Sequence, residues 1–200
     1  MYVAILRLGL ISQAHELLDL GCGIGILESW LRSAGTQYAA GVWPRDWPAP
    51  PAPTRLRGVD YDARDVHCAR GALGELATFV CADARIAALG RPDAVVILDM
   101  LHYMEYEAQF EVLCNVRAAI KPSGVLVMRI GDADGGFPFK LSEWTDRIVR
   151  LARRGNTGRL YCRSLTGWRK LLERAGFRSD SVSMVARTPF ANHLLIAQPA

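Results

Sequence analysis

A glycine-rich segment near the start of the chain constrains the fold more than any other feature of the sequence. Residues 16–27 read Glu-Leu-Leu-Asp-Leu-Gly-Cys-Gly-Ile-Gly-Ile-Leu. The apolar run that ends at Leu20 predicts a short strand buried on both faces. Gly21, Gly23 and Gly25 predict a tight turn, because glycine adopts dihedral angles that a Cβ atom forbids. Apolar residues then recur at helical spacing, so the segment predicts a helix whose N-terminus can bind a polar ligand.

The spacing of these glycines separates two classes of nucleotide-binding turn. Dinucleotide-binding turns read G-x-G-x-x-G, whereas this turn reads G-x-G-x-G and follows an acid, Asp19. Residues 19–25 resemble motif I of class I S-adenosylmethionine-dependent methyltransferases; an incidental glycine turn in another α/β protein is the alternative. The resemblance implies that Asp19 orients the ammonium group of S-adenosylmethionine. It also implies that the methionine end is held by the turn residues Gly21, Cys22, Gly23 and Gly25.

Two further predicted strands end in acids, in the order that such a sheet requires. The second strand, Leu56–Asp62, contains Asp60, and the third, Thr78–Ala84, contains Asp83. A carboxylate at the tip of the second strand of a nucleotide-binding fold can accept hydrogen bonds from both ribose hydroxyls, and the resemblance gives this role to Asp60. The resemblance places the adenine edge against Asp83 and Ala84, with its faces flanked by Tyr61 and Arg85. Asp62 is interpreted as the cap of a helix over Ala63–Arg70.

The fourth predicted strand, Asp93–Asp99, leads to the candidate catalytic residues. Ligands of open α/β sheets lie beyond the carboxyl ends of the strands, so Asp99 is counted with the cofactor-binding residues. Because histidine titrates near neutral pH, His102 is the best candidate for a general base, with a packed structural histidine as the alternative. Tyr103 and the acidic loop at 131–139 are weaker candidates for shaping an acceptor pocket.

The remaining pattern completes a prediction of fold. We expect an α/β, doubly wound, mostly parallel seven-stranded sheet in the order 3-2-1-4-5-7-6, with the last strand antiparallel, as in the Rossmann-like methyltransferase fold that the resemblance implies. Gly35 is predicted to stop the first helix. The later elements are predicted as helix Tyr106–Ile120, strand Val125–Ile130, helices Ser142–Arg153 and Thr166–Ala175, and strands Ser181–Ala186 and His193–Gln198.

Domain organisation is predicted to be simple. Residues 1–200 are expected to form one domain, with a proline-rich insertion at about 41–54 whose two tryptophans could dock on the body, line a substrate entrance or stay mobile. The apolar start of the chain favours a short covering helix over a signal peptide, because Arg7 interrupts it and no basic segment precedes it. No stretch approaches the length of a membrane span.

Composition limits the remaining possibilities. Half of the residues are apolar and the formal net charge is +4, as in a globular protein. The five cysteines lack metal-ligand spacing, which predicts no metal and is typical of a reducing cytoplasm.

The acceptor is the least constrained part of the function. The chain lacks the Asn-Pro-Pro-Tyr and Pro-Cys motifs of nucleic-acid methyltransferases, which argues for a small-molecule or acyl-carrier-bound acceptor methylated at oxygen. The basic stretch at 140–178 is either solvated helix surface or a face for an acidic partner such as a carrier protein or an RNA. Leu-His-Tyr-Met at 101–104 and Pro-Phe-Ala-Asn-His at 189–193 make the chain similar to methyltransferases of bacterial aryl-polyene and related lipid-like pathways.

Two hypotheses of function from different classes remain. The first is an S-adenosylmethionine-dependent methyltransferase. The second is a non-catalytic cofactor-binding or interaction protein that lost its acceptor site, which the short N-terminal region favours slightly. A second subunit, in a homodimer, or the tryptophan loop could complete the acceptor pocket instead. A nicotinamide dehydrogenase is a distant third, because the glycine spacing is wrong for it.

Overall fold

The computed structural model describes residues 2–134, 159–184 and 192–200 of the chain. The described helices are α1 Tyr2–Arg7, α2 Ile26–Ala39, α3 Ala63–Leu73, α4 Tyr106–Ala119 and α5 Leu165–Arg174. The described strands are β1 Glu16–Leu20, β2 Arg55–Asp60, β3 Thr78–Cys81, β4 Ala94–Leu98, β5 Val125–Gly131, β6 Phe177–Ser183 and β7 Asn192–Pro199. A short 3₁₀ turn, Leu101–Tyr103, follows β4.

The strands of the described residues form one seven-stranded sheet in the order β3-β2-β1-β4-β5-β7-β6. Strands β1 to β5 pair in parallel, whereas β7 pairs antiparallel with both β5 and β6. The predicted strand order and the antiparallel last strand are confirmed. In this order β1 lies in the middle of the sheet between β2 and β4, which places the glycine turn at the centre of one edge.

Helices cover both faces of the sheet, which explains why the central strands are apolar on both sides. One core layer packs α4 and α5 against the sheet, through residues such as Val112, Leu113 and Trp168. The other packs α1, α2 and α3 against the opposite face, through residues such as Ile5 and Leu31. The fold is therefore the doubly wound α/β arrangement that the sequence predicts.

Helix α2, which follows the glycine turn, does not stop where the sequence predicts. Gly35 lies inside α2, which continues to Ala39, and the chain leaves the helix through Gly41 at φ 70°. A Cβ on Gly35 would have no neighbour within 4 Å, so the glycine serves no close packing there. The buried stripe of Leu27, Leu31 and Ala34 ends before the glycine. Helix propensity is a weak preference, and one interior glycine costs only about 1 kcal/mol, so the helix continues through it.

Several predicted bounds also shift. Strand β6 begins four residues before its predicted start because Phe177 is buried, while the rest of the strand is largely exposed and carries no alternating apolar pattern. Helix α3 runs three residues beyond Arg70, since Leu73 is buried on the same face as Val66 and Ala69. The predicted helix Ser142–Arg153 lies outside the described residues.

The proline-rich insertion forms neither helix nor strand and packs on the body of the protein. Trp43 and Trp47 meet edge to face, with ring centroids 5.4 Å apart, and both pack against the core layer of α1 to α3. The indole N–H of Trp43 donates to the carbonyl of Pro48 at 2.9 Å. Of the possibilities left open by the sequence, docking on the body is the one observed.

Candidate functional site

A cavity of about 500 Å³ opens at the carboxyl-end edge of the parallel strands. This is the edge at which open α/β sheets bind ligands. Nine of the residues singled out in the sequence line it: Gly21, Gly23, Asp60, Tyr61, Asp83, Ala84, Arg85, Asp99 and Tyr103. The other four, Asp19, Cys22, Gly25 and His102, lie outside its lining. The fold thus brings most of the predicted residues to one place, although they span more than eighty positions of the sequence.

The glycine turn forms one wall of the cavity. Gly21, Gly23 and Gly25 have φ values of 87°, 52° and 82°, a region that side chains with a Cβ rarely adopt. A Cβ on Gly23 would meet nothing nearer than the Asp65 carboxylate at 3.9 Å, so this glycine is open towards the cavity. A Cβ on Gly25 would lie 2.7 Å from Leu73, so that glycine is needed for packing against α3.

Asp60 connects the tip of β2 to the glycine turn. The N–H of Gly23 donates to Asp60 Oδ2 at 2.9 Å, and the N–H of Asp62 donates to Oδ1 at 2.9 Å. The carboxylate is half-buried and lines the cavity. It fixes the shape of the turn and retains lone pairs for a ligand. Asp62 caps α3 by accepting from the N–H groups of Arg64 and Asp65, as the sequence predicts.

The adenine-side candidates stand at the end of β3. Asp83 forms an ion pair with Arg85, whose guanidinium nitrogens donate to both carboxylate oxygens. These hydrogen bonds lower the pKa of Asp83 below its usual value. Tyr61 is 65% exposed and lines the cavity. Buried Ala84 accepts a hydrogen bond from the Asn115 side chain through its carbonyl.

Asp99 is the one non-glycine residue of the described chain with a positive φ, at 56°. Such strain at the rim of a cavity is a recurrent property of functional sites. Its carboxylate pairs with Arg129 of the neighbouring strand β5. Burial raises the pKa of the Asp99 carboxyl, and the Arg129 guanidinium acts in the opposite direction.

Asp19 lies beneath the glycine turn, buried to 3% exposure in the central strand. Burial raises its pKa well above the usual value, and the nearby carboxylates of Glu28 and Asp60 raise it further. Cys22 is buried in the same place, and burial raises the pKa of its thiol. A Cβ on Gly58 of β2 would lie 2.8 Å from the sulfur of Cys22, so the cysteine fills the space that this glycine leaves.

The turn after β4 holds the catalytic candidates. Tyr103 lines the cavity, and its ring lies 4.1 Å from that of His102, centroid to centroid. The Nε2 atom of His102 is fully buried, so in this conformation that nitrogen does not reach the cavity. Of the acidic loop, Asp132 accepts from the N–H of Leu165 at the start of α5 and is not part of the cavity lining.

Gln109 holds this turn in place and was not singled out in the sequence. Its side chain is fully buried, and its amide nitrogen donates to the carbonyls of Leu101, Met104 and Tyr161 at 2.8 to 3.1 Å. Its oxygen accepts from Arg163 at 2.7 Å. The signal that could have found it is a polar residue at the start of an otherwise apolar helical stripe.

Two more residues near the site were not predicted from the sequence. Glu28, in the first turn of α2, is fully buried, and Arg129 interrupts the apolar strand β5 between Met128 and Ile130. A charged residue within a buried run is a signal in each case. The cavity wall also includes Met100 and Met104, which no pattern in the sequence distinguishes from core methionines.

The described arginines of the basic stretch are largely engaged within the protein. The guanidinium of Arg163 stacks on Tyr106 at 4.4 Å, and that of Arg174 lies over Phe110 at 4.8 Å. Arg169 donates to the carbonyl of Ser179. These contacts favour a structural role for this part of the stretch. Within the parts of the chain that the structure covers, no helix combines the length and apolarity needed to cross a membrane.

The described residues offer no cluster of three or more histidine, cysteine or acidic side chains suited to a metal ion. The prediction that the site holds no metal therefore stays a prediction, since part of the chain is not described. The five cysteines all lie within the described residues, and none of them forms a disulfide.

The sequence matches the model of a methyltransferase domain family over residues 4–182. That match covers most of the chain, and the chain belongs to this family. Among curated proteins no relative matches.

Solved structures share the fold at low sequence identity. An O-methyltransferase family protein from Burkholderia thailandensis has a TM-score of 0.68 and 23% identity, and the match covers 100% of this chain and 55% of that one. Human N-acetylserotonin methyltransferase, solved in complex with SAM, has a TM-score of 0.68, 17% identity, and coverage of 99% and 52%. Magnesium protoporphyrin IX methyltransferase from Synechocystis, solved with SAH, has a TM-score of 0.59, 20% identity, and coverage of 92% and 74%. The chain spans about half the length of the first two.

Proposed function

We propose that the protein binds S-adenosylmethionine in the cavity beside the glycine turn and transfers its methyl group to an oxygen of a small-molecule or carrier-bound acceptor. The observation that carries the proposal is the joint lining of one cavity by the glycine turn, Asp60 and Asp83. Membership of the methyltransferase domain family supports the reaction class, and SAM or SAH is bound in two of the similar structures.

The donor groups around the cavity match the chemistry of this cofactor. Asp60 offers carboxylate oxygens to ribose hydroxyls, and Asp83 offers them to an exocyclic amine. The exposed ring of Tyr61 offers a face to adenine. Buried Asp19 has an oxygen with no hydrogen-bond partner among the described residues, which suits a cationic ligand group. The cavity volume of about 500 Å³ lies within the range of small-molecule sites.

S-adenosylmethionine, when bound, supplies a methyl group already activated by a sulfonium. The protein then has to align the acceptor with that methyl group and, for a hydroxyl acceptor, to accept its proton. Tyr103 and Met104 form the wall on the side of the 3₁₀ turn. We propose His102 as the proton acceptor; since it does not line the cavity and its Nε2 atom is buried in this conformation, the role requires its side chain to turn towards the cavity.

Titration calorimetry tests the cofactor. We expect S-adenosylmethionine and S-adenosylhomocysteine to bind with micromolar dissociation constants, about −8 kcal/mol, and NAD to bind more weakly. Tighter binding of NAD would contradict the proposal. A screen of phenols, hydroxy acids and carrier-bound acyl groups with methyl-labelled cofactor then tests transfer.

One observation favours a second function, a cofactor-binding protein without catalysis. The candidate proton acceptor His102 does not line the cavity, and its Nε2 atom is buried. Cofactor binding without transfer to any acceptor, and without stimulation by a second copy of the chain, would support this alternative. The narrower likeness to enzymes of aryl-polyene pathways stays a prediction.

A further inference from the structure

Two buried carboxylates flank the glycine turn, Asp19 in β1 and Glu28 in the first turn of α2. Asp19 is 3% exposed and Glu28 is 0% exposed. Oδ1 of Asp19 and both carboxylate oxygens of Glu28 have no hydrogen-bond partner among the described residues. Neither side chain joins an ion pair in the part of the chain that the structure covers. Burying a charge without a partner is costly, so this arrangement requires either a proton or a positively charged ligand.

The groups that face this acid pair (Asp19 and Glu28) add negative rather than positive charge. Asp60 approaches from β2 and raises the pKa of Asp19. Cys22 of the turn and Tyr2 of α1 are neutral, and the acid pair contributes to raising the pKa of both. On the side of Tyr2 stands Arg129, but its guanidinium already pairs with Asp99. None of these surrounding groups therefore neutralises the acid pair.

Burial without a cationic partner favours a proton on the acid pair. Burial raises the pKa of both carboxyls, and the charge of Glu28 raises that of Asp19 further. Two carboxyls that share a site ionise one after the other, because the first charge opposes the second. A protonated carboxyl is neutral and can donate a hydrogen bond, so a proton lowers the cost of burying the acid pair.

We propose that Glu28 is a positioning residue of the cofactor site, which shares a proton with Asp19 in the free protein and so sets the pH at which the cationic end of the cofactor binds. The inference rests on the proposed function, because S-adenosylmethionine carries an ammonium group at its methionine end. As that cation enters, the shared O–H proton leaves to the buffer. The ammonium group of the cofactor replaces the proton beside the carboxylates, and no other bond changes.

The expected signature is a proton released on binding. Ionised acid pairs bind the cation better, so affinity for S-adenosylhomocysteine should rise with pH from about 6 to about 8, and up to about one proton should be released. The release is measured from the binding enthalpy in buffers of different ionisation enthalpy. Methylthioadenosine, which keeps the adenosine but lacks the amino-acid end, should bind with no proton release and no such pH dependence.

Glu28→Gln separates this role from packing, since glutamine keeps the shape and cannot ionise. With the neighbouring charge gone, the pKa of Asp19 falls, so the pH dependence of affinity should move about one unit lower. Proton release at pH 7 should fall at least about threefold by the same reasoning. The matched control is Glu75→Gln at an exposed glutamate after α3, which should behave as the wild type does.

The outcomes distinguish this inference from the proposed function. Binding of S-adenosylhomocysteine with no proton release would overturn the inference and leave the proposed function intact. Glu28→Gln that lowers the melting temperature but keeps the wild-type proton release would also overturn it, since Glu28 would then only pack. Failure of the wild type to bind any of these adenosine compounds would overturn both.

Infrared difference spectra of the wild type supply a measurement that needs no variant. Adding S-adenosylhomocysteine should remove the C=O band of a protonated carboxyl, and methylthioadenosine should leave that band in place. An unchanged band with S-adenosylhomocysteine would overturn the inference even if the Glu28→Gln protein does not fold.

Discussion

Replacing Asp60 with alanine should weaken cofactor binding and loosen the glycine turn together. The carboxylate accepts from the N–H groups of Gly23 and Asp62, each at 2.9 Å, and in the proposed function also from the ribose. Hydrogen bonds to a charged group contribute about 1.5–3 kcal/mol. Losing the ribose contacts should therefore weaken binding of S-adenosylhomocysteine by about 10- to 150-fold.

The effect on stability follows from the two backbone contacts. Asp60 is half-buried, so water replaces part of what it provides, and we expect a loss of about 1–3 kcal/mol in the free energy of unfolding. For a domain of this size, each kcal/mol lowers the melting temperature by about 2–4 °C. Thermal unfolding without ligand measures this effect separately from binding.

Asp62→Ala is the matched control for Asp60→Ala. Asp62 is an acid two residues away that caps α3 and lies outside the cavity lining. Loss of such a cap costs about 0.5–2 kcal/mol of stability, so the Asp62→Ala protein should melt at a lower temperature than the wild type. Its affinity for S-adenosylhomocysteine should stay within about twofold of the wild type, well below the tenfold change that corresponds to about 1.4 kcal/mol. If Asp60→Ala melts earlier but binds as the wild type does, Asp60 shapes the turn and does not contact the ribose.

Three further changes test other parts of the structure. Gly35→Ala should raise the free energy of unfolding by about 0.5–1 kcal/mol, because the glycine lies inside a helix with open space around it; an unchanged or lower melting temperature would contradict the described helix. Gln109→Leu should lower the free energy of unfolding by about 2–4 kcal/mol, because three carbonyls and Arg163 each lose one hydrogen bond. Denaturant unfolding that shows a loss of less than about 1 kcal/mol would refute the network. His102→Ala should lower methyl transfer about a hundredfold or more while calorimetry shows nearly unchanged cofactor affinity, and full turnover would assign His102 to packing.

The strand-end acids could be predicted because they depend on simple geometry. Carboxyl ends of parallel strands meet at one edge of a sheet, so Asp60 and Asp83 had to lie near the glycine turn once the strands were recognised. The order of the strands followed from the same pattern together with the family resemblance. No detail of packing was needed for either.

The rest of the site depends on contacts that a linear pattern does not contain. Arg129 pairs with Asp99 because strands β4 and β5 align with Leu98 opposite Arg129. The sequence of either strand alone does not determine this register. Gln109 finds a partner in Tyr161, 52 residues away. The prediction that the helix stops at Gly35 was wrong because a glycine costs a helix only about 1 kcal/mol, which does not by itself end one.

The position of β1 bears on how the chain is made. It is synthesised before both of its neighbours, β2 and β4, so one of its edges stays unpaired until residues 94–98 have left the ribosome. Unpaired apolar edges attract other chains. We expect fragments that end before β4 to aggregate, and we expect the nascent protein to depend on chaperones until its central strand is enclosed.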